Sequence, residues 1–167
     1  LCMIGNAFTH FENFHLTDSR RHEKYWKELL SAELTRLGNG ARGRSQAQWI
    51  IAHADAGCAS PGEARVLYEL RAAGLTGMRT QVEVHTRGRR YFIDCTFPVE
   101  KVGIEFDGRA KYGDDARSIH SSLARERERQ RRLEAEGWHI IRVGWHDLDH
   151  PGELITQIRA ALAARVR

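Results

Sequence analysis

Cysteine is scarce in this chain of 167 residues, which contains three, Cys2, Cys58 and Cys95. An odd number of cysteines at such wide spacing makes neither a disulfide framework nor a zinc knuckle. Unpaired thiols of this kind fit a reducing compartment. The cysteine content therefore predicts a cytoplasmic protein.

Long apolar runs are also missing. No segment reaches the length that a membrane span requires. The first residues, Leu1 to Ile4, have neither the basic region nor the apolar stretch of a signal peptide. We therefore expect no membrane as a partner.

The composition is that of a globular protein with a modest basic excess. Apolar residues make up 41% of the chain, enough for a core, and charged residues make up 29%. The formal net charge is +4. A basic excess of this size favours a polyanionic partner without establishing one.

Periodicity divides the chain into two parts. Residues 1–57 are predicted to form an arm and a helical extension, and residues 58–167 to form the main domain. Ser60, Pro61 and Glu63 make a capping box that opens a helix. Strands are expected at about 79–86, 89–96, 101–107 and 138–143, with helices at about 115–136 and after Pro151. The order α-β-β-β-α-β-α predicts a three-layer α/β domain.

Two apolar strand segments each carry an acid in the middle, Asp94 and Glu105. A turn centred on Val99 and Glu100 would pair these acids across an antiparallel hairpin. Like charges directly opposite each other destabilise a sheet, and a bound divalent cation would resolve the conflict because hard cations take carboxylate oxygens. The alternative is a solvated outer face of the hairpin.

Three further residues could assist such a site. Asp107 follows Glu105 by two positions and could be a third metal ligand, or a turn residue before Gly108. Lys111 could stabilise developing charge, or be an ordinary loop lysine. Glu63 could reach the metal or its water, or serve only the capping box.

The long helix carries an interrupted apolar stripe. Glu126 and Gln130 stand between Leu123 and Leu133, on a face that should pack against the sheet. Buried polar groups need partners, so both side chains could orient a metal ligand or a water. Arg125, Arg129 and Arg132 fall on the opposite face of the helix. We therefore expect Glu126 and Gln130 to be more buried than Arg125 and Arg129, and to point toward Glu105 or Asp107. The alternative is a helix that is splayed or exposed at this point.

Arginines are concentrated on the same helix, and four of them are candidates for phosphate contacts: Arg125, Arg127, Arg129 and Arg132. They alternate with glutamates. The alternative is therefore a solvated face whose charges pair with each other.

The chain from about residue 58 to 163 resembles a family of small bacterial endonuclease-like domains that are similar to very-short-patch repair endonucleases. That group belongs to the restriction-endonuclease-like superfamily with the PD-(D/E)xK site. The matching segments are Ser60–Glu63, Phe92–Asp94, Val102–Gly108, Arg125–Gln130, Gly137–Arg142 and Trp145–Leu148. The resemblance implies a central mixed sheet, Mg²⁺ held by Asp94 and Glu105 with Mn²⁺ as a substitute, and hydrolysis of DNA phosphodiester bonds by a metal-activated water.

One position departs from the superfamily pattern, because Asp107 stands where the motif has a lysine. Lys111 or Arg127 could take the place of that lysine. We predict a Mg²⁺-dependent DNA endonuclease or nicking enzyme. The alternative is a catalytically degenerate domain that regulates by binding DNA, or a component of a toxin–antitoxin or defence system. With either function, the chain could form a homodimer or act with a partner protein of such a system.

Overall fold

The computed structural model describes residues 16–38, 40–108 and 116–165, and it describes side chains over 22–38, 40–108 and 125–165. The chain separates into two compact units, of which the first ends at Gly74 and the second begins at Leu75. Helix 61–72 thus groups with the first unit. The predicted domain boundary between residues 57 and 58 stays a prediction.

The first unit contains the helices α1 (Leu16–Arg36), α2 (Arg44–His53) and α3 (Pro61–Ala72). The predicted cap of α3 is confirmed, since the hydroxyl of Ser60 accepts a hydrogen bond from the backbone N–H of Glu63 at 3.2 Å. The carboxylate of Glu63 in turn accepts from the N–H of Ala59 at 2.8 Å. This carboxylate therefore stabilises the start of α3.

The second unit is built on one four-stranded sheet in the order β1-β2-β3-β4. Both hairpin pairs are antiparallel, and β3 pairs with β4 in parallel. Its elements are β1 (Arg79–Thr86), β2 (Arg89–Phe97), β3 (Val102–Phe106), α4 (Ala116–Ala135), β4 (His139–Val143), α5 (Trp145–Asp149) and α6 (Pro151–Ala163). From α3 onward, the α/β class, the mixed sheet and the predicted element order are confirmed. The short helix α5 is an addition that the periodicity does not predict.

The hairpin between β2 and β3 has the predicted register. Three pairs define it, Cys95 with Ile104, Thr96 with Gly103 and Phe97 with Val102. Continuing that register by one residue places Asp94 across from Glu105. The connection is tight, and Lys101 takes a left-handed conformation with a φ of 51°.

Helix α4 packs against the sheet through its C-terminal half. Leu133 is fully buried in a cluster with Val84, Ile93 and Trp138. On the sheet, Gly103 leaves room for two neighbours, since a Cβ at this position would lie 2.7 Å from Cδ1 of Ile140 and 2.9 Å from Cγ2 of Ile93. These apolar contacts fix the helix over the strands that carry the candidate acids.

Candidate active site

Asp94 is held by the backbone of the neighbouring strand. Its Oδ2 accepts a hydrogen bond from the N–H of Phe106 at 2.9 Å. Phe106 follows Glu105 directly in β3. This hydrogen bond therefore holds the carboxylate of Asp94 close to the backbone of Glu105. A carboxylate on a backbone donor is a charge-assisted and therefore strong contact.

Glu105 is the most deeply buried acid of the hairpin, with 8% of its surface exposed. Its Oε2 lies 2.5 Å from Nη1 of Arg129. Its Oε1 is buried and has no hydrogen-bond partner among the residues that the structure describes. A buried carboxylate oxygen without a donor or a cation is costly, so this atom needs an explanation.

Arg129 of α4 links the helix to the acids. It also donates to the carbonyl of Phe92 at 2.7 Å, and its Nη1 lies 3.5 Å from Oε1 of Glu126. Burial opposes the charge of this guanidinium. The hydrogen bond and charge of Glu105, together with the charges of Glu126 and Asp94, outweigh burial, so the pKa of Arg129 lies above its usual value.

A second arginine enters from β4. Arg142 pairs in register with Glu105 and donates to the carboxylate of Glu126. We call Asp94, Glu105, Glu126, Arg129 and Arg142 the acid–arginine cluster. Its three carboxylates and two guanidiniums leave one formal negative charge.

The structure corrects the predicted faces of α4. Arg129 was expected on the exposed basic face, with Glu126 more buried than it; instead the side chain of Arg129 is 22% exposed and that of Glu126 is 30% exposed. Gln130 does not point to Glu105 or Asp107, because its amide donates to Glu134 at 2.9 Å. Arg129 and Gln130 follow Glu126 at helical spacing, three and four positions on. The repeat therefore allows either of them on the face of Leu133. Arg129 faces the sheet because its charge pairs with the buried Glu105.

The remaining candidate arginines differ in their surroundings. Arg125 and Arg127 are exposed. Arg132 is half-buried and donates to Glu128 at 2.7 Å, and this hydrogen bond and its charge lower the pKa of Glu128. Arg132 thus belongs to a self-paired stretch of the helix, whereas Arg125 and Arg127 face solvent.

The structure describes the three assisting candidates only in part. Asp107 is exposed, and its backbone N–H donates to the carbonyl of Val143 at 2.9 Å. Lys111 lies outside the described residues, and Glu63 belongs to the first unit. No three His, Cys, Asp or Glu side chains in the described part of the chain converge as a metal cluster. A preassembled set of Asp94, Glu105 and Asp107 is therefore not seen, and metal binding by these acids stays a prediction.

The sequence gives no signal that two further residues, Gln81 and Arg142, lie near the acids. Gln81 lies within β1 with a φ of 49°, between Thr80, which pairs with Cys95, and Val82, which pairs with Ile93. A left-handed non-glycine residue inside a strand is strained. Arg142 falls within a segment of the family resemblance, yet only the parallel pairing of β3 with β4 reveals that it lies beside Glu105.

Comparison with known proteins supplies no argument for the fold or the function. No protein-family model matches the chain, and no curated protein matches it. Among solved structures, the catalytic domain of the homing endonuclease I-Bth0305I is similar, with a TM-score of 0.44 and 16% identity over 65% of this chain and 100% of that one. This similarity is too low to transfer an activity. Over the described residues, no helix combines the length and apolar content needed to cross a membrane.

Proposed function

We propose that this protein is a Mg²⁺-dependent endonuclease that hydrolyses or nicks DNA. The observation that carries the proposal is the buried Oε1 of Glu105, which has no hydrogen-bond partner among the described residues. It belongs to a carboxylate adjacent to Asp94, in a hairpin of the predicted register. A hard divalent cation is the natural partner for such an oxygen.

The residues present fit a magnesium ion. Mg²⁺ commonly uses only one or two protein carboxylates and takes its remaining ligands from water and substrate phosphates. Asp94 and Glu105 would supply these carboxylates, with Asp107 as a third candidate, and the formal negative charge of the acid–arginine cluster favours a cation. The bound metal would lower the pKa of a water and neutralise phosphate charge.

Other side chains of this chain have further roles in the proposed site. Glu126 accepts hydrogen bonds from Arg142 and lies near Arg129, so it orients both guanidiniums. Lys111 is the proposed stabiliser of developing charge on the phosphate. For Glu63 the structure shows the capping role, and its part in activating a water stays a prediction from the sequence. Gln130, bonded to Glu134, is left out of this site.

DNA is the proposed partner because of the charge on the exposed side of α4. Arg125 and Arg127 face solvent there. Guanidinium groups bind phosphates without regard to base sequence. A cytoplasmic location, and assembly as a homodimer or with a partner protein, remain part of the proposal.

A second function is favoured by one specific observation. Glu105 is already neutralised by Arg129 at 2.5 Å, and the position of the motif lysine is held by Asp107. A site arranged in this way could persist without metal. The second proposal is therefore a catalytically degenerate domain that binds DNA as a regulator, antitoxin or defence component.

A plasmid assay distinguishes the two functions. Supercoiled DNA is incubated with the full chain in Mg²⁺, in Mn²⁺ or in EDTA, and Glu105→Gln is compared with the matched variant Glu128→Gln on the exposed side of α4. The endonuclease proposal expects nicked or linear DNA with either metal, loss in EDTA and in Glu105→Gln, and retention in Glu128→Gln. Salt-sensitive DNA binding without cleavage by the wild type would instead support the regulator.

A further inference from the structure

The guanidinium of Arg129 is the positive group that is bound to the carboxylate of Glu105. We propose that Arg129 is a resident counter-ion that a divalent cation must displace from Glu105, and that Glu126 receives the displaced guanidinium. The inference rests on the proposed function, because the displacing ion is the metal of the same site. Through Arg129, helix α4 would control whether Glu105 binds a metal ion.

The distances provide two partners for one guanidinium group. Nη1 of Arg129 lies 2.5 Å from Oε2 of Glu105 and 3.5 Å from Oε1 of Glu126. Glu126 precedes Arg129 by three residues on α4, so it stays within reach whatever happens at Glu105. A small rotation of the side chain exchanges the closer partner for the farther one.

The second arm of the guanidinium acts as an anchor. Nη2 donates to the carbonyl of Phe92 at 2.7 Å. Because this contact is to the backbone of β2, it does not depend on the charge of Glu105. Arg129 can therefore turn toward Glu126 while it remains attached to the sheet.

Charge explains why the exchange depends on the metal. Glu105 is mostly buried, and a buried carboxylate without a compensating charge is strongly unfavourable. Arg129 supplies this charge in the absence of metal. A divalent cation on the same carboxylate would repel the guanidinium, whereas the carboxylate of Glu126 attracts it. Binding of the metal ion at Glu105 thus weakens the contact of Arg129 there, and the contact of Arg129 weakens binding of the metal ion.

The test measures Mn²⁺ binding to the full chain by calorimetry, without DNA. Arg129→Gln removes the competitor and should bind Mn²⁺ about tenfold more tightly, the gain expected if the wild type leaves Glu105 open about one-tenth of the time. Glu126→Gln removes the receiving partner and should bind Mn²⁺ more weakly. The matched controls, Arg131→Gln and Glu128→Gln on the exposed side of α4, should match the wild type.

Thermal unfolding supplies a second readout, because a tighter ligand at a fixed concentration raises the melting temperature further. Mn²⁺ should therefore raise the melting temperature of Arg129→Gln more than that of the wild type. If Arg129→Gln does not fold, the weaker binding of Glu126→Gln still supports the inference, and unchanged binding in that variant overturns it.

The outcomes separate this inference from the proposed function. If the wild type binds Mn²⁺, Glu105→Gln abolishes binding and Arg129→Gln binds no more tightly, the counter-ion role is wrong while the metal site stands. If neither the wild type nor Arg129→Gln shows binding that depends on Glu105, the metal site itself is wrong and the inference falls with it.

Discussion

The carboxylate of Asp94 accepts a hydrogen bond from the backbone N–H of Phe106 at 2.9 Å, which ties β2 to the residue that follows Glu105 on β3. Backbone atoms move less than side chains. The separation of the two acids is therefore fixed by the hairpin. A site that must hold an ion between two carboxylates benefits from such support.

Substitutions of Asp94 should separate its structural role from its charge. Asp94→Asn retains an acceptor for Phe106 and should unfold near the wild-type free energy, whereas Asp94→Ala leaves that N–H unsatisfied and should lose about 1–3 kcal/mol. Both variants should lose Mn²⁺ binding. Urea titration and calorimetry measure the two effects, with Asp149→Asn as the control. Full Mn²⁺ affinity in Asp94→Asn would remove Asp94 from the metal site.

The ion pair between Glu105 and Arg129 should show strong coupling in stability. Arg129→Gln leaves the buried carboxylate without its counter-charge and should lower the unfolding free energy by roughly 3 kcal/mol in metal-free buffer. Adding Glu105→Gln to this variant removes the buried carboxylate that has lost its counter-charge. The double variant should therefore be more stable than the sum of the two single losses predicts. Strictly additive losses would mean that the pair does not interact in solution.

The exposed arginines of α4 should contribute to DNA affinity according to their surroundings. Replacing Arg125 and Arg127 with Gln should weaken binding to all sequences and reduce the salt slope by roughly one for each arginine. Arg132→Gln should have a smaller effect, because Arg132 already pairs with Glu128. Fluorescence anisotropy at several salt concentrations tests this, and equal effects for all three would contradict the assignment.

Gly103 should be intolerant of a side chain. A methyl group at this position meets Ile140 and Ile93 at less than 3 Å, so Gly103→Ala should lower the unfolding free energy by about 1–3 kcal/mol through overpacking. Gly152 in the first turn of α6 has no atom within 4 Å of its added Cβ. Gly152→Ala should therefore be neutral or stabilising, and an equal loss in both variants would show that the contact at Gly103 is not the cause.

The hairpin that carries the acids could be predicted from the sequence because its signals are local. The turn at Val99 and Glu100 fixes the pairing of every later residue, and the observed pairs of Cys95 with Ile104 and Thr96 with Gly103 follow from it. The cap at Ser60 is predictable for the same reason. These features depend only on residues that are close in the chain.

The partners of the helix could not be predicted in this way. Gln130 and Arg129 are adjacent and both polar, so periodicity alone cannot decide which one faces the sheet. The decision comes from Glu105, 24 residues away, which offers a buried charge that only Arg129 can compensate. Arg142 reaches the same cluster through the parallel pairing of β4 with β3, which has no local signature.

Metal binding by Asp94 and Glu105 can be seen in a crystal of the full chain that is soaked in Mn²⁺ and measured at the manganese absorption edge. We expect an anomalous peak at roughly 2.0–2.3 Å from carboxylate oxygens of Asp94 and Glu105, the distance range of hard divalent cations. We also expect Arg129 to have moved from Glu105 toward Glu126. No peak at these acids, with Arg129 still bound to Glu105, would contradict the metal site and leave the degenerate DNA-binding domain as the function.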